Sequence, residues 1–251
     1  VGRNTFEAVQ AEGAERIARS AAAAGVARMV HVSAIGADAE SNSGYARTKA
    51  AGEAAVLRHF PGAVILRPSI IFGPGDSFFN RFAGMAAVGP VVPVIGPRTR
   101  FQPVYVEDVA KAAELGVLGK AGPGVYELGG PDVDTFRELM VYMLQVIQRR
   151  RLILSVPFWM ARMMAAGFAL LRLFTFGLVR GPVTADQVRQ LRRDNVVSEG
   201  ARGFAELGIR PASMEAILPE YLWRFRPSGQ YAAVNASADD LKDHPDGTGA
   251  S

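Results

Sequence analysis

The chain has 251 residues, 49% of them hydrophobic, and no cysteine. It can therefore bury one large core, or a core with a small appendage, while disulfides, thiolate metal sites and cysteine nucleophiles are excluded. The formal charge of +4 is unevenly spread: Arg149, Arg150, Arg151, Arg162, Arg172 and Arg180 share a stretch without one acidic residue, whereas the residues from Ala236 onward are acidic.

Basic residues are not interleaved with aromatics on expected strands, which gives nucleic-acid binding no support. His31, His59 and His244 are too scattered to suggest a metal site. The N-terminus shows no apolar segment behind a basic start. The most apolar window, 156–179, is interrupted by Arg162 and Arg172 and does not read as a membrane span.

"TFEAVQAEGAERIARSAAAAGV" is rich in alanine and other helix formers and ends in Gly25, a C-cap signal; the apolar run "ARMVHVSAI" follows as a buried strand. The alternation continues with a helix near Gly44 to His59, the strand and loop of "GAVILRPSIIFGP", and a helix near Ser77 to Ala87. After the Gly/Pro-rich "VGPVVPVIGPRTR", "FQPVYVEDVAKAAELGVL" gives a short extended segment and a helix. Short apolar strands alternating with helices predict an α/β fold, a Rossmann-like doubly wound parallel sheet covered on both faces.

From residue 131 the pattern changes to a mostly helical appendage over 131–228, with an acidic tail expected to be disordered over 229–251. Its apolar basic helix, 157–178, would set Arg162 and Arg172 about 80° apart on a narrow stripe beside small residues. Three readings of that helix stand: interfacial on a membrane, clasped between partner subunits, or buried in the core.

No glycine-rich turn of the kind that holds a dinucleotide pyrophosphate precedes His31. A sheet starting near Arg28 would have few strands and one exposed edge, so the chain is expected to be the C-terminal part of a longer protein, with 1–130 the C-terminal part of an NAD(P)-binding domain.

"SNSGYARTKAAGE" sets Tyr45 and Lys49 one turn apart on the same side of a helix. A lysine ammonium beside a phenol lowers its pKa, so Tyr45 could exchange a proton near neutral pH, and the lysine could bond ribose hydroxyls. Ser33, at the end of the preceding strand, could orient a carbonyl toward that phenol. A solvated helix surface is the plain alternative. His31 is expected to be a hydrogen-bonded core histidine, and Asp108 to cap or anchor a helix start.

"RMVHVSAIGADAESNSGYARTKAAGEAAV", "AVILRPSIIFGPGD" and "QPVYVEDVA" resemble the extended and atypical short-chain dehydrogenase/reductases. The resemblance implies Ser33, Tyr45 and Lys49 as the triad, with Arg67, Pro68, Ser69, Ile70 and Ile71 passing the nicotinamide end of the cofactor. "DSFFNRFAGMAAVGPVVPVIG", "FAELGI" and "YLWRF" are further similar to the accessory NAD(P)H-binding subunits of respiratory complex I.

That likeness implies bound NADPH, with NADH possible, and a non-catalytic role in NADH:ubiquinone oxidoreductase. It also implies other complex I subunits as partners at the junction of the hydrophilic and membrane arms near the quinone site. The helix 157–178 would then touch the membrane surface, on the cytoplasmic face of a bacterial inner membrane or the matrix face of the mitochondrial one. The alternative is an active NAD(P)-dependent reductase, dehydrogenase or epimerase.

Overall fold

The computed structural model describes residues 5–174, 184–227 and 229. A π-helical turn, Glu7–Ala11, leads into α1 (Glu12–Ala23). Gly25 ends α1 with φ 71°, and a Schellman pair closes it: Gly25 N donates to Ala22 O and Val26 N to Ala21 O, both at 3.0 Å.

Three parallel strands follow the sequence's apolar runs: β1 (Val30–Val32), β2 (Val64–Pro68) and, further along the chain, the strand Gly124–Leu128, numbered β7 below. They lie in the order β1, β2, β7, with Val30 opposite Val64 and Val64 opposite Gly124. Between β1 and β2 runs α2 (Gly44–His59). Alternation along β2 serves both faces of the sheet. Ile65 packs under α1 and α2 with Ala14, Ala18 and Val56, while Val64 and Leu66 pack with Val109 and Ala112 of the later helix Val106–Val117, numbered α4 below. The sheet is thus covered on both sides, and among the described strands β1 and β7 are the outer ones, with Val32 of β1 45% exposed.

After β2 the chain forms β3 (Ile71–Phe72), α3 (Phe79–Val88), β4 (Val91–Ile95), β5 (Arg100–Phe101), β6 (Val104–Tyr105), α4 (Val106–Val117) and then β7. β8 (Asp134–Thr135), α5 (Phe136–Val146), β9 (Leu152–Val156), α6 (Phe158–Phe174), α7 (Ala185–Gln190) and α8 (Met214–Leu222) complete it, with a 3-10 turn at Trp223–Phe225. Small two-stranded pairings join β3 to β6 and β4 to β9 in parallel, and β5 to β8 antiparallel.

The largest core gathers Phe72, Phe79, Val92 and Val94 with Leu139, Met140 and Met143 of α5 and Leu218 and Leu222 of α8. It draws on residues from both sides of position 130. Edge-to-face contacts among Phe78, Phe79, Phe82, Phe101 and Phe136 knit it together. The "DSFFN" segment is its hinge pin: Asp76 accepts from Phe78 N at 2.8 Å, Asn80 N at 3.2 Å and Tyr221 Oη at 2.6 Å. Burial and the Asp76 bond push the Tyr221 phenol far above its ordinary pKa.

Within the described part of α6, the buried side is made of Ala161 and Ala165, whereas Trp159, Met163 and Met164 are exposed. This inverts the pattern of a core helix and removes that reading for residues 158–168. Leu152 and Leu154 of β9 are exposed as well. Residues 175–178 of the expected helix lie outside the described residues, as does the expected tail apart from Gly229.

No helix among the described residues is long and apolar enough to cross a membrane. The arginine run turns partly inward: Arg149 Nε donates to Phe225 O at 2.7 Å and Arg151 Nε to Ala86 O at 2.8 Å. Asp108 anchors a different segment from its own helix start, accepting from Ala212 N at 2.7 Å just ahead of α8.

Candidate functional site

Ser33 directly follows β1. Its N–H donates to Leu66 O at 2.7 Å, which fixes it to the C-terminal end of β2. It is 4% exposed, and its Oγ has no hydrogen-bond partner among the described residues. Such atoms are rare in folded chains, since leaving a buried hydroxyl unpaired costs about 1–3 kcal/mol.

Tyr45 occupies the first turn of α2, with Phe6 packed edge-on against its ring at 5.7 Å. Lys49 lies one turn later, its Nζ 5.9 Å from the Tyr45 ring centroid and 3.3 Å from Val32 O, to which it donates. The structure thus brings Ser33, Tyr45 and Lys49 to the end of β1 and the start of α2.

The electrostatics differ from the sequence expectation. Burial pushes the Tyr45 phenol up, and no downward pull from Lys49 offsets it, because the ammonium faces the ring and a backbone carbonyl. Burial also pulls Lys49 down, only partly opposed by the Glu53 charge. Partial burial thus favours the neutral form of both groups.

A groove of about 1010 Å³ runs along β1, between that strand and the helical turns of residues 5–17. Lys49 and His31 reach its wall together with Val9, Ile17, Val30 and Val32. His31 departs from the core histidine expected: its Nε2 is buried without a partner among the described residues. Desolvation, then the nearby Lys49 charge, lowers its pKa, with Glu53 opposing.

The segment after β2 divides. Arg67 is held in a bidentate pair with Glu53 of α2, at 2.9 and 2.6 Å, and lies 3.6 Å from Glu127 of β7. The Glu53 bonds raise its pKa and keep it charged. Its guanidinium therefore serves to tie α2 to the sheet. Pro68 is buried and accepts from Ile35 N at 3.0 Å, bracing the loop after Ser33.

Ser69, 6% exposed, donates to Asn195, whose Oδ1 is 2.6 Å away. Ile70 packs on the large core, and Ile71 enters β3 opposite Val104. The sequence reading missed the segment after α7. It crosses the same end of the sheet: Arg193 pairs with Asp38 at 3.1 Å, Asn195 meets Ser69, and Ser198 N donates to Glu127 at 2.8 Å. Among the described residues, no cluster of three or more metal-ligating side chains occurs.

A parallel sheet, a serine at the end of β1 and a Tyr-x-x-x-Lys turn on the next helix define a Rossmann-type dehydrogenase/reductase scaffold. The model of the RmlD substrate binding domain matches residues 3–138, more than half of the chain, and the chain belongs to that family, within the extended short-chain dehydrogenase/reductases.

The mitochondrial NADH dehydrogenase [ubiquinone] 1 alpha subcomplex subunit 9 of Arabidopsis thaliana is 36% identical over 214 residues, which is 82% of this chain and 52% of that protein. A ceramide reductase of Caulobacter vibrioides is 43% identical over 105 residues, 42% of this chain and 33% of that one. The chain thus spans about half the length of the first relative and a third of the second. Among solved structures, the dTDP-glucose 4,6-dehydratase DesIV of Streptomyces venezuelae, solved with NAD bound, superposes with a TM-score of 0.63 at 20% identity, covering 93% of this chain and 70% of that one. That likeness is one of fold.

Proposed function

We propose that the chain is part of an accessory, non-catalytic NAD(P)H-binding subunit of respiratory complex I. The observation that carries the reading is the similarity over 82% of the chain to a subunit of NADH dehydrogenase, joined to a Ser33/Tyr45/Lys49 constellation whose phenol is pushed up rather than activated.

The residues present fit the nicotinamide-ribose end of such a nucleotide. Ser33 Oγ is a buried hydroxyl with no partner among the described residues, and Lys49 Nζ donates to the carbonyl of Val32, the residue before Ser33. When bound, a nicotinamide nucleotide would supply a hydride donor or acceptor. Ser33 would orient its polar edge, Lys49 would hold ribose hydroxyls while keeping its bond to Val32 O, and Tyr45 would pack beside them. NADPH is the nucleotide proposed, with NADH as the alternative.

The partners are other complex I subunits at the junction of the two arms near the quinone site. Trp159, Met163 and Leu152, exposed beside Arg162 and Arg150, form the surface that meets them and the membrane interface. The reading proposed is a peripheral protein, on the cytoplasmic face of a bacterial inner membrane or the matrix face of a mitochondrial one.

A second reading, an active NAD(P)-dependent reductase, dehydrogenase or epimerase, is favoured by the local likeness to a ceramide reductase and by the retained triad residues. Tyr45→Phe separates the two. For the subunit, the variant should assemble into complex I and sustain wild-type NADH:quinone reductase activity. Normal assembly with loss of a separate NAD(P)H-dependent turnover of an added carbonyl substrate would establish the enzyme instead.

A further inference from the structure

Asp186 joins the C-terminal part of the chain to the helix that carries Tyr45 and Lys49. The first N–H groups of an α-helix have no partner within it, and its N-terminus attracts negative charge. In α2 these groups are met from a residue 141 positions away. Gly44 N donates to Asp186 Oδ1 at 2.9 Å and Tyr45 N to Oδ2 at 3.3 Å.

Ser43, the N-cap, accepts from Ala46 N at 3.4 Å and donates its own hydroxyl to Asp186 Oδ2 at 2.9 Å. Gln190, one turn further along α7, donates to the same oxygen at 3.0 Å. The cap is held from the side, so the carboxylate fixes the direction of α2 as well as its end.

The rest of α7 faces elsewhere. Val188, 1% exposed, packs in a separate small core with Val156 at the end of β9 and Ala161 of α6, with Phe158 and Ile95 against it. One short helix thus touches α6 through Val188 and grips the start of α2 through Asp186 and Gln190. A displacement of α6 would move Asp186, and with it the first turn of α2, where Tyr45 sits.

We propose that Asp186 is a positioning residue for the nucleotide site, and that through α7 the seating of α6 sets nucleotide affinity. The proposal rests on the reading that Ser33, Tyr45 and Lys49 hold a nicotinamide nucleotide. Linkage makes the effect reciprocal: whatever holds α6 in this position tightens nucleotide binding, and the nucleotide strengthens that hold by the same factor. A signal between a docking surface and the nucleotide site follows without any contact between them.

The test titrates NADPH by fluorescence into the intact subunit that contains this chain, with amide hydrogen exchange read by mass spectrometry at residues 43–49. Asp186→Ala should raise the NADPH Kd by about tenfold, with Asp186→Asn intermediate. Val188→Ala, which touches no residue of α2, should raise it by about threefold. Thr135→Ala, which removes the capping box of α5 in the other core, serves as the control for stability alone. It should lower Tm and leave Kd unchanged.

If Asp186→Ala and Val188→Ala lower Tm but keep Kd within that of Thr135→Ala, the proposal is overturned. Should Asp186→Ala fail to fold, Val188→Ala decides alone. Should the intact wild-type subunit that contains this chain bind neither NADPH nor NADH, the nucleotide reading falls by itself. Exchange then tests the positioning: faster exchange at residues 43–49 in Val188→Ala and not in Thr135→Ala supports it, and unchanged exchange overturns it.

Discussion

The two sides of the candidate site are built in opposite ways. On the α2 side, Gly44, Tyr45 and Ala46 all have their amides bonded, the cap is a buried serine locked to a carboxylate, and Arg67 ties the helix to the sheet through Glu53. On the β1 side, Ser33 Oγ and His31 Nε2 are buried with no partner among the described residues, and a groove runs along the strand. Polar groups that frame a site are satisfied, because their geometry must persist; those meant to meet a ligand carry their cost in the free protein. Changes on the first side should weaken the fold, and changes on the second should weaken binding.

The largest effect is expected at Glu53→Ala, which removes the bidentate partner of the Arg67 guanidinium, 24% exposed, and leaves it only Glu127 at 3.6 Å. Breaking such a pair should cost about 3 kcal/mol in urea unfolding. Arg67→Met with Glu53→Met should recover much of it, and a loss below about 1 kcal/mol would show that the pair does not brace α2.

Ser43→Ala removes both the N-cap acceptor and a donor to Asp186, and should cost about 1–2 kcal/mol. Ser33→Ala, chemically the same change ten residues earlier, should leave stability unchanged or slightly raised, since its hydroxyl bonds nothing among the described residues, while weakening NADPH binding. Equal destabilisation by the two variants would erase the distinction between the two sides.

pH sharpens the same contrast. Burial raises the Asp186 pKa, but bonds from Ser43, Gly44, Gln190 and Tyr45 outweigh it and hold the group below its ordinary 3.8. Arg189, 3.7 Å away, is the cation beside it. A depressed carboxylate contributes stability above its unfolded pKa and loses it as pH falls through the folded one. The stability gap between wild type and Asp186→Asn should be full above about pH 4 and close below it. A gap that persists at pH 2 would mean the side chain acts by shape alone.

The smallest effect concerns Gln148, whose φ of 53° past the end of α5 suits glycine. Gln148→Gly should be neutral or stabilising by up to about 1 kcal/mol in thermal unfolding, and should leave binding untouched.

How much of this was legible follows from where the information lies in the chain. The helices and the β1 and β2 strands were readable because their periodicity, caps and apolar runs are local; Gly25 closes α1 as its position implied. β4 was hidden by Pro93, which a strand paired on one side only, here with β9, tolerates. β7 was hidden by Glu127, a charge inside a five-residue run that makes sense only once Arg67 is beside it.

Tyr45 and Lys49 share a helix side by spacing, and Ser33 joined them through the family resemblance. The raised phenol and the role of Arg67 as a brace could not be read in either way, since both depend on burial and on partners brought by the fold. Asp186 carried no local signal at all: its meaning lies in a bond across 141 residues. The exposed large residues of α6 were legible as composition, but which side of the helix is buried was set by the small alanines facing α7 and β9.

The central claim is that this chain belongs to a nucleotide-holding subunit of complex I. It is tested most directly by purifying complex I from respiratory membranes of the source organism and identifying its chains and released nucleotides by mass spectrometry. The account predicts this chain in stoichiometric amount with NADPH or NADH, and loss of the nucleotide, with the chain retained, in a Ser33→Ala, Lys49→Ala double variant. Active, fully assembled complex I without this chain would contradict it.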